Sequence, residues 1–270
     1  MILSGYPVAQ EIYDSLDTTQ HPHLAIIQVG TDPASQVYTQ KKQEVLEKHG
    51  GQATLYQYPS DISQKDLEKQ IIQFNYTSSI HGIIVQLPLP QHINTPQILS
   101  YISPEKDPDG LTPQNLAGCI TSTSFITPAT PLAVLSLCRY YTIPLTSQHI
   151  VVINDSLLLG RPLIHLLTNH GATVTMAHKN TPNLKNHLTQ ANIIISGIGK
   201  PHIITDIDST DKVLIDVGIS RTPQGIKGDF HPTLYSQAAM YTPVPGGIGP
   251  ITVACLISNL YSVTQNYLNT

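Results

Sequence analysis

The sequence predicts an α/β protein of two domains, each built on a parallel sheet, and three observations predict it. Apolar runs bounded by polar turns alternate with helix-spaced segments through the first half. The alternation breaks at 122–131, a stretch of Ser and Thr with two prolines, and restarts from His149. A chain of 270 residues is long enough to bury two such cores without disulfide staples.

In the first half, 24–29 reads as a strand, a helix starts at about Ala34, 53–58 is a second strand, 65–74 a helix and 83–85 a third strand. Strands separated by helices argue for a parallel sheet whose ligands gather beyond the carboxyl ends of its strands. Asp32-Pro33 ends the first strand and Ser35 is expected to cap the next helix. An apolar helical stretch at 132–141 leads into Pro144. Strand 150–153, helix 162–169, strand 173–177, helix 184–190, strand 193–196 and strand 213–217 then follow as a dinucleotide-type unit. The last apolar stretch, 251–267, suits one helix crossing back to the first domain. The domains are drawn as 1–127, completed by a C-terminal helix at 252–270, and 128–251.

Composition excludes several classes. The charged fraction is 12% and the formal charge is -4, with Lys and Arg scattered, which argues against a nucleic-acid partner. No run reaches the roughly 18 apolar residues of a membrane span, and the start lacks the basic region of a signal peptide. The histidines form no metal motif. Cys119, Cys138 and Cys255 are odd in number and far apart, so no disulfide framework or zinc site is expected, and reduced thiols point to the cytoplasm.

Tyr38 and Lys42 lie four residues apart, which puts an aromatic ring and an amine on one helix face at the ligand edge. A lysine on a helix is more often a solvated charge, and the pair alone proves little. Val85-Gln-Leu-Pro-Leu-Pro90 ends a buried strand with an amide and two prolines, so Gln86 faces that same edge. Asp109 precedes Gly110 in a turn cluster, where an aspartate is usually a turn former. Thr242-Pro-Val-Pro-Gly-Gly-Ile-Gly-Pro-Ile-Thr252 shapes a stiff loop before a helix and suggests backbone close to a flat ligand. In the second half, Asn154, Asp155 and Ser156 open a strand-to-helix turn suited to a pyrophosphate. His178 and Lys179 follow the next strand, where adenosine ribose is usually read. Lys179 can neutralise a 2'-phosphate, whereas Asp155 would repel one and accept from an unmodified ribose.

Together these segments closely resemble the bifunctional methylenetetrahydrofolate dehydrogenase/cyclohydrolase (FolD) family. The resemblance spans nearly the whole chain and rests on four ordered motifs: 29–38 with Lys42, 82–89, 106–111 and 242–250. It implies a Rossmann-type dinucleotide-binding domain beside the amino-terminal α/β domain, an active-site cleft between them, and usually a homodimer. It implies oxidation of 5,10-methylenetetrahydrofolate with NADP, then hydrolysis of the methenyl cation to 10-formyltetrahydrofolate. By resemblance Lys42 is the central lysine, Tyr38 the pterin-stacking ring, Gln86 the residue that tunes Lys42, and Asp109 the pterin anchor. Burial beside Tyr38 is expected to make Lys42 easier to deprotonate. Leu87, Gly249 and Pro250 are expected to border the folate, and Asn154, Ser156, Gly197, Val217, Ile219 and Thr252 to line the cofactor.

Two departures stand out. Asn154-Asp-Ser156 replaces the family's Gly-Arg-Ser, whose arginine usually grips the NADP 2'-phosphate. Asp155 therefore leaves three alternatives: NADP held through Lys179, preference for NAD, or weakened dehydrogenase activity. Pro128-Ala-Thr-Pro131 replaces Pro-Cys-Thr-Pro, where no chemical step needs a thiol. A short-chain dehydrogenase also uses Tyr-x-x-x-Lys, but there the nucleotide loop precedes the pair, the reverse of the order here. A folate- or nucleotide-binding protein without turnover is disfavoured by the intact Lys42, Gln86 and Asp109.

Overall fold

The computed structural model describes residues 1–123 and 125–269, without the side chains of Ala34 and 267–269. Its first elements are α1 (Gly5–Asp14), β1 (His23–Val29), α2 (Pro33–Lys48), β2 (Gln52–Tyr58), α3 (Gln64–Tyr76), β3 (Gly82–Val85), α4 (Thr95–Ser100) and α5 (Pro113–Thr121). Then come α6 (Ala129–Tyr140), β4 (His149–Ile153), α7 (Gly160–Asn169), β5 (Thr173–Ala177), α8 (Leu184–Gln190), β6 (Ile193–Ser196) and β7 (Val213–Asp216). The chain closes with β8 (Ser220–Thr222), β9 (Gly225–Lys227), β10 (Met240–Tyr241) and α9 (Ile248–Asn269). Two compact units result. One comprises Ile12–Gly118, Ser124–Ala129 and Leu256–Thr270, and the other Met1–Glu11, Cys119–Thr123 and Thr130–Cys255.

The first unit holds a parallel sheet in the order β2-β1-β3. With β1 in the centre, successive crossovers leave it on opposite sides, so the carboxyl ends of β1 and β3 form a topological switch point. Ala25, Ile27 and Val29 bury one face of β1 against Leu67, Ile71 and Phe74 of α3. Leu24 and Ile26 on the other face are buried too, which is why 24–29 reads as an apolar run interrupted by Gln28 alone. Leu67, Ile71 and Phe74 recur at helical spacing, and Ser63 accepts the Asp66 N–H at the start of α3.

At the start of α2 the cap is Asp32, not Ser35. The Asp32 carboxylate accepts the Ser35 N–H at 2.7 Å, and Pro33 occupies the first turn, where its missing N–H costs nothing. Ser35 is the donor of that bond rather than its acceptor. The other end of α3 is closed by Lys106, a buried lysine whose Nζ donates to Thr77 O at 2.8 Å and Phe74 O at 3.4 Å. Burial holds its pKa below the usual lysine value.

The second unit holds a parallel sheet in the order β10-β7-β6-β4-β5, with an antiparallel β8-β9 ribbon. Here β4 lies between β5 and β6, which puts a second switch point at the ends of β4 and β6. Val151, Ile153, Ile194, Leu214 and Phe230 fill the core. The last full strand stops at Asp216, leaving Val217 in the exit loop, and α9 begins three residues earlier than 251, with Pro250 tolerated in its first turn. The expected helix end at Thr270 and Ser124 of the expected boundary stretch lie outside the described residues. Among the described residues no helix is long and apolar enough to cross a membrane.

Replacing Asp32 with Ala removes the cap of the helix that carries Tyr38 and Lys42. Urea unfolding should show a loss of about 1 kcal/mol; an unchanged midpoint and slope would mean the cap contributes nothing.

Candidate active site

Three of the four expected catalytic residues meet at the first switch point. Lys42 Nζ, half-buried on α2, donates to Gln86 Oε1 at 3.2 Å. Gln86 is the first residue past β3, and its N–H extends the sheet by donating to Ile27 O at 2.8 Å. Its Nε2 donates to Leu87 O at 3.0 Å, which turns the amide oxygen toward the amine. Tyr38 is half-buried one turn earlier on the same face of α2.

Asp109 lies within electrostatic reach of Lys42. Protein atoms crowd it although some of its surface stays accessible. That desolvation pushes its carboxyl pKa up, the Lys42 charge pulls it down, and Asp107 adds a smaller upward push. The turn-forming role belongs to Asp107: its carboxylate accepts the N–H of Gly110 at 2.9 Å and of Thr112 at 2.8 Å, and Asn115 Nδ2 at 2.9 Å. Among the described residues the Asp109 side chain has no hydrogen-bond partner, so its oxygens are open to an incoming donor. The segment behind it is fixed. Asn259 Nδ2 donates to Pro108 O and Thr127 O, both at 2.9 Å. Gly110 has φ +72°, and a Cβ there would stand 2.7 Å from Pro128 N.

Sequence reasoning missed Gln28 and Thr39. Both are buried, and Thr39 Oγ1 donates to Gln28 Oε1 at 3.1 Å while Gln28 Nε2 donates to Gly30 O at 3.3 Å. This link ties the middle of α2, between Tyr38 and Lys42, to the end of β1. The signal was an amide inside the apolar run 24–29. Asn259 carried no comparable signal, because its partners are far away in sequence.

At the second switch point, the expected cofactor residues divide. Asn154 and Ser156 turn their side chains inward: Asn154 Oδ1 accepts from Ser156 N at 2.9 Å, Ser156 Oγ at 2.7 Å and Gly160 N at 3.0 Å, and Asn154 Nδ2 donates to Gly197 O at 2.6 Å. Gly197 is closely approached: a Cβ there would lie 2.4 Å from Leu159 Cδ2, so that side chain would have to move. Asp155 is exposed and its carbonyl accepts from Arg161 Nε at 3.0 Å, a cation that the sequence reading passed over. His178 holds its own loop, with Nδ1 accepting the Asn180 N–H at 3.1 Å. Lys179 is exposed at the exit of β5. Val217 donates its N–H to Ser196 O at 2.7 Å, and Ile219 is exposed. Thr252 Oγ1 bonds Ile248 O at 3.2 Å on its own helix.

The residues present fit a dinucleotide. The N–H groups of Leu157 and Leu158, just before α7, have no partner among the described residues, and both side chains are exposed. Two amides without a partner among the described residues at a helix N-terminus, with Arg161 in the first turn of that helix and Lys179 in the exit loop of β5, suit a pyrophosphate and a further phosphate.

The proline- and glycine-rich loop serves mainly its own chain. Gly246 has φ +102°, and the Gly5 N–H donates to its carbonyl at 2.7 Å. A Cβ on Gly5 would fall 1.8 Å from Gly247 O, and one on Gly247 would fall 2.6 Å from Pro243 O. Gly249 differs: a Cβ there meets only Ile219 Cδ1, at 3.9 Å, so the open approach expected for a flat ligand survives at Gly249 beside Pro250.

Burial pushes Asp216, at the end of β7, up to about 7, against the pull of the Phe230 and Gly218 N–H groups and with a further push from Asp229. Cys119, Cys138 and Cys255 are buried and not disulfide-bonded, and burial pushes the last two up to about 12, which makes them poor nucleophiles. No cluster of metal-ligating side chains occurs among the described residues.

Residues 3–109 match the family model described as tetrahydrofolate dehydrogenase/cyclohydrolase, catalytic domain, and residues 128–268 match its NAD(P)-binding domain. The chain is 37% identical over 277 residues to the bifunctional protein FolD of Nautilia profundicola, covering 98% of each. It is similar to the crystal structure of the bifunctional enzyme FolD, a methylenetetrahydrofolate dehydrogenase/cyclohydrolase, from Campylobacter jejuni (TM-score 0.92, 34% identity, 98% of this chain and 99% of that one). It is similar also to FolD of Trypanosoma brucei, complexed with NADP cofactor and inhibitor (TM-score 0.92, 28% identity, 100% and 99%).

Because the Lys42 charge favours the Asp109 carboxylate, Lys42→Met should raise the Asp109 pKa. Carbon NMR of the labelled carboxyl reads this directly; an unchanged or lower midpoint would place the amine out of reach.

Proposed function

The chain belongs to the tetrahydrofolate dehydrogenase/cyclohydrolase family, and from that premise we propose that it oxidises 5,10-methylenetetrahydrofolate to the 5,10-methenyl cation with NADP and hydrolyses the cation to 10-formyltetrahydrofolate. The observation that carries this reading is the Lys42–Gln86 hydrogen bond of 3.2 Å with Asp109 in electrostatic reach.

Each side chain has a part matched to its chemistry. Tyr38 offers the pterin a flat apolar face. Asp109, whose side chain has no hydrogen-bond partner among the described residues, accepts the pterin N–H groups; burial pushes its pKa up and Lys42 opposes that push. Lys42 moves the proton to and from the attacking water or a folate nitrogen. A permanently protonated Lys42 would repel the methenyl cation, so the part proposed for the amine is proton transfer rather than a fixed charge. Gln86 orients that amine without adding a negative charge that would hold its proton in place. Leu87, just past β3, borders the folate.

NADP, when bound, supplies the hydride acceptor. Toward it the Leu157 and Leu158 amides take the pyrophosphate, Lys179 and Arg161 face the 2'-phosphate, and Asp155 opposes it. Asn154, Ser156 and Gly197 shape the turn, and His178, Val217, Ile219 and Thr252 complete the lining. The reading carries with it a homodimer in the cytoplasm, acting on a small-molecule folate rather than on nucleic acid or membrane.

Oxidation of methylenetetrahydrofolate by the purified protein, with NADP and NAD side by side, and hydrolysis of the methenyl compound test the reading; absence of both activities from folded protein would reject it. Lys42→Met should lower hydrolysis by at least about 100-fold, the low end of general acid-base catalysis, with circular dichroism unchanged. Turnover close to wild type in that variant would remove Lys42 from the mechanism. Asp155→Arg should raise the NADP:NAD ratio of kcat/KM by about tenfold, as one charge-assisted hydrogen bond would. An unmoved ratio would place residue 155 away from the phosphate.

A further inference from the structure

The exit loops of β6 and β7 are tied to one short segment, Gly228 to Phe230, by two buried carboxylates. Asp229 is fully buried and accepts four hydrogen bonds: from Ser196 Oγ and Ile198 N at 2.7 Å on Oδ2, and from Gly199 N and Lys200 N at 2.9 Å on Oδ1. Three successive N–H groups converging on one anion, with Gly199 at φ +74°, form the kind of amide nest that elsewhere captures phosphate. Here the protein's own carboxylate fills it.

Asp216 does the complementary job. It accepts Gly218 N and Phe230 N, both at 3.0 Å. The packing is reciprocal: a Cβ on Gly218 would sit 2.2 Å from the Asp229 carboxylate, and one on Gly228 would sit 2.2 Å from Asp216 Oδ2. The loops so held carry Gly197, Val217 and Ile219, the residues assigned above to the cofactor.

We propose that Asp229 is a positioning residue for dinucleotide binding: by occupying the 198–200 amide nest it sets the backbone of the β6 exit loop and leaves pyrophosphate recognition to the open amides before α7. The proposal rests on the reading of this unit as the NADP site. Asp229 itself touches no ligand. In Asp229→Asn the amide group turns donors toward at least one of the two donor pairs now satisfied by the carboxylate, so the loop loses its anchor while volume is kept.

The test combines three readouts. Hydrogen exchange in the ligand-free protein should show the Ile198, Gly199 and Lys200 amides of Asp229→Asn exchanging at least about tenfold faster. Calorimetry should show NADP binding weakened by about tenfold or more. Methenyltetrahydrofolate hydrolysis should stay within about twofold of wild type, since the Lys42 site lies in the other unit. An NADP affinity within twofold of wild type would overturn the proposal.

If Asp229→Asn fails to fold, Ser196→Ala decides. It removes one of the four donors, and a roughly threefold loss of NADP affinity with intact hydrolysis supports the proposal, whereas unchanged affinity overturns it. Wild-type protein that binds no NADP would instead refute the functional reading on which the proposal rests.

Discussion

The site depends on an amine held by a neutral acceptor. Lys42 meets the oxygen of an amide, and Gln86 spends its own N–H on Leu87 O, so the pairing has only one orientation. A carboxylate in that place would bind the ammonium and favour the charged form. A hydrocarbon would leave the amine without direction. The amide gives direction without charge, which suits a base working beside a cationic substrate. Asp109 supplies the negative charge of the site from a separate loop, where burial and Lys42 act on its carboxyl in opposite directions.

The fold makes this meeting possible through topology. Because β1 is the middle strand, α2 and the end of β3 approach the same switch point from opposite crossovers. Polar groups in the interior then hold each contributor: Asp32 starts α2, the Gln28–Thr39 pair ties its middle to β1, and Lys106, Asp107 and Asn259 brace the loop before and after Asp109. The second unit uses the same device with different chemistry. Asn154 and Asp229 accept amides of their own loops, while the Leu157 and Leu158 N–H groups before α7 have no partner among the described residues.

Much of this was legible in the sequence. β5, α8 and β6 have the limits expected from the sequence, because polar turn residues bound each of them. Lys42, Gln86 and Asp109 were legible as ordered motifs, and the structure brings them together in one unit. What escaped was mostly non-local. Asn259 reaches Pro108 across about half the chain, and Asp229 reaches the 198–200 loop through tertiary folding; no periodicity encodes either. The cap of α2 is ambiguous in the sequence because Ser35 and Asp32 are both capping residues, and only geometry separates acceptor from donor. Within the glycine-rich loop, Gly247 is hemmed in by Pro243 O and Thr242, a tertiary constraint that the sequence does not display, whereas a Cβ on Gly249 meets only Ile219 Cδ1. α1 and α5 went unassigned, the first beginning at Gly5-Tyr-Pro and the second carrying Pro113 and Gly118, residues that mask helical periodicity.

The most direct test of the central claim is a double-mutant cycle on methenyltetrahydrofolate hydrolysis using Lys42→Met, Gln86→Leu and the pair together. If Gln86 acts by orienting Lys42, its loss should cost nothing further once the amine is gone, and the double variant should match Lys42→Met within about twofold. Losses in kcat/KM that multiply would show two independent contributions and contradict the account.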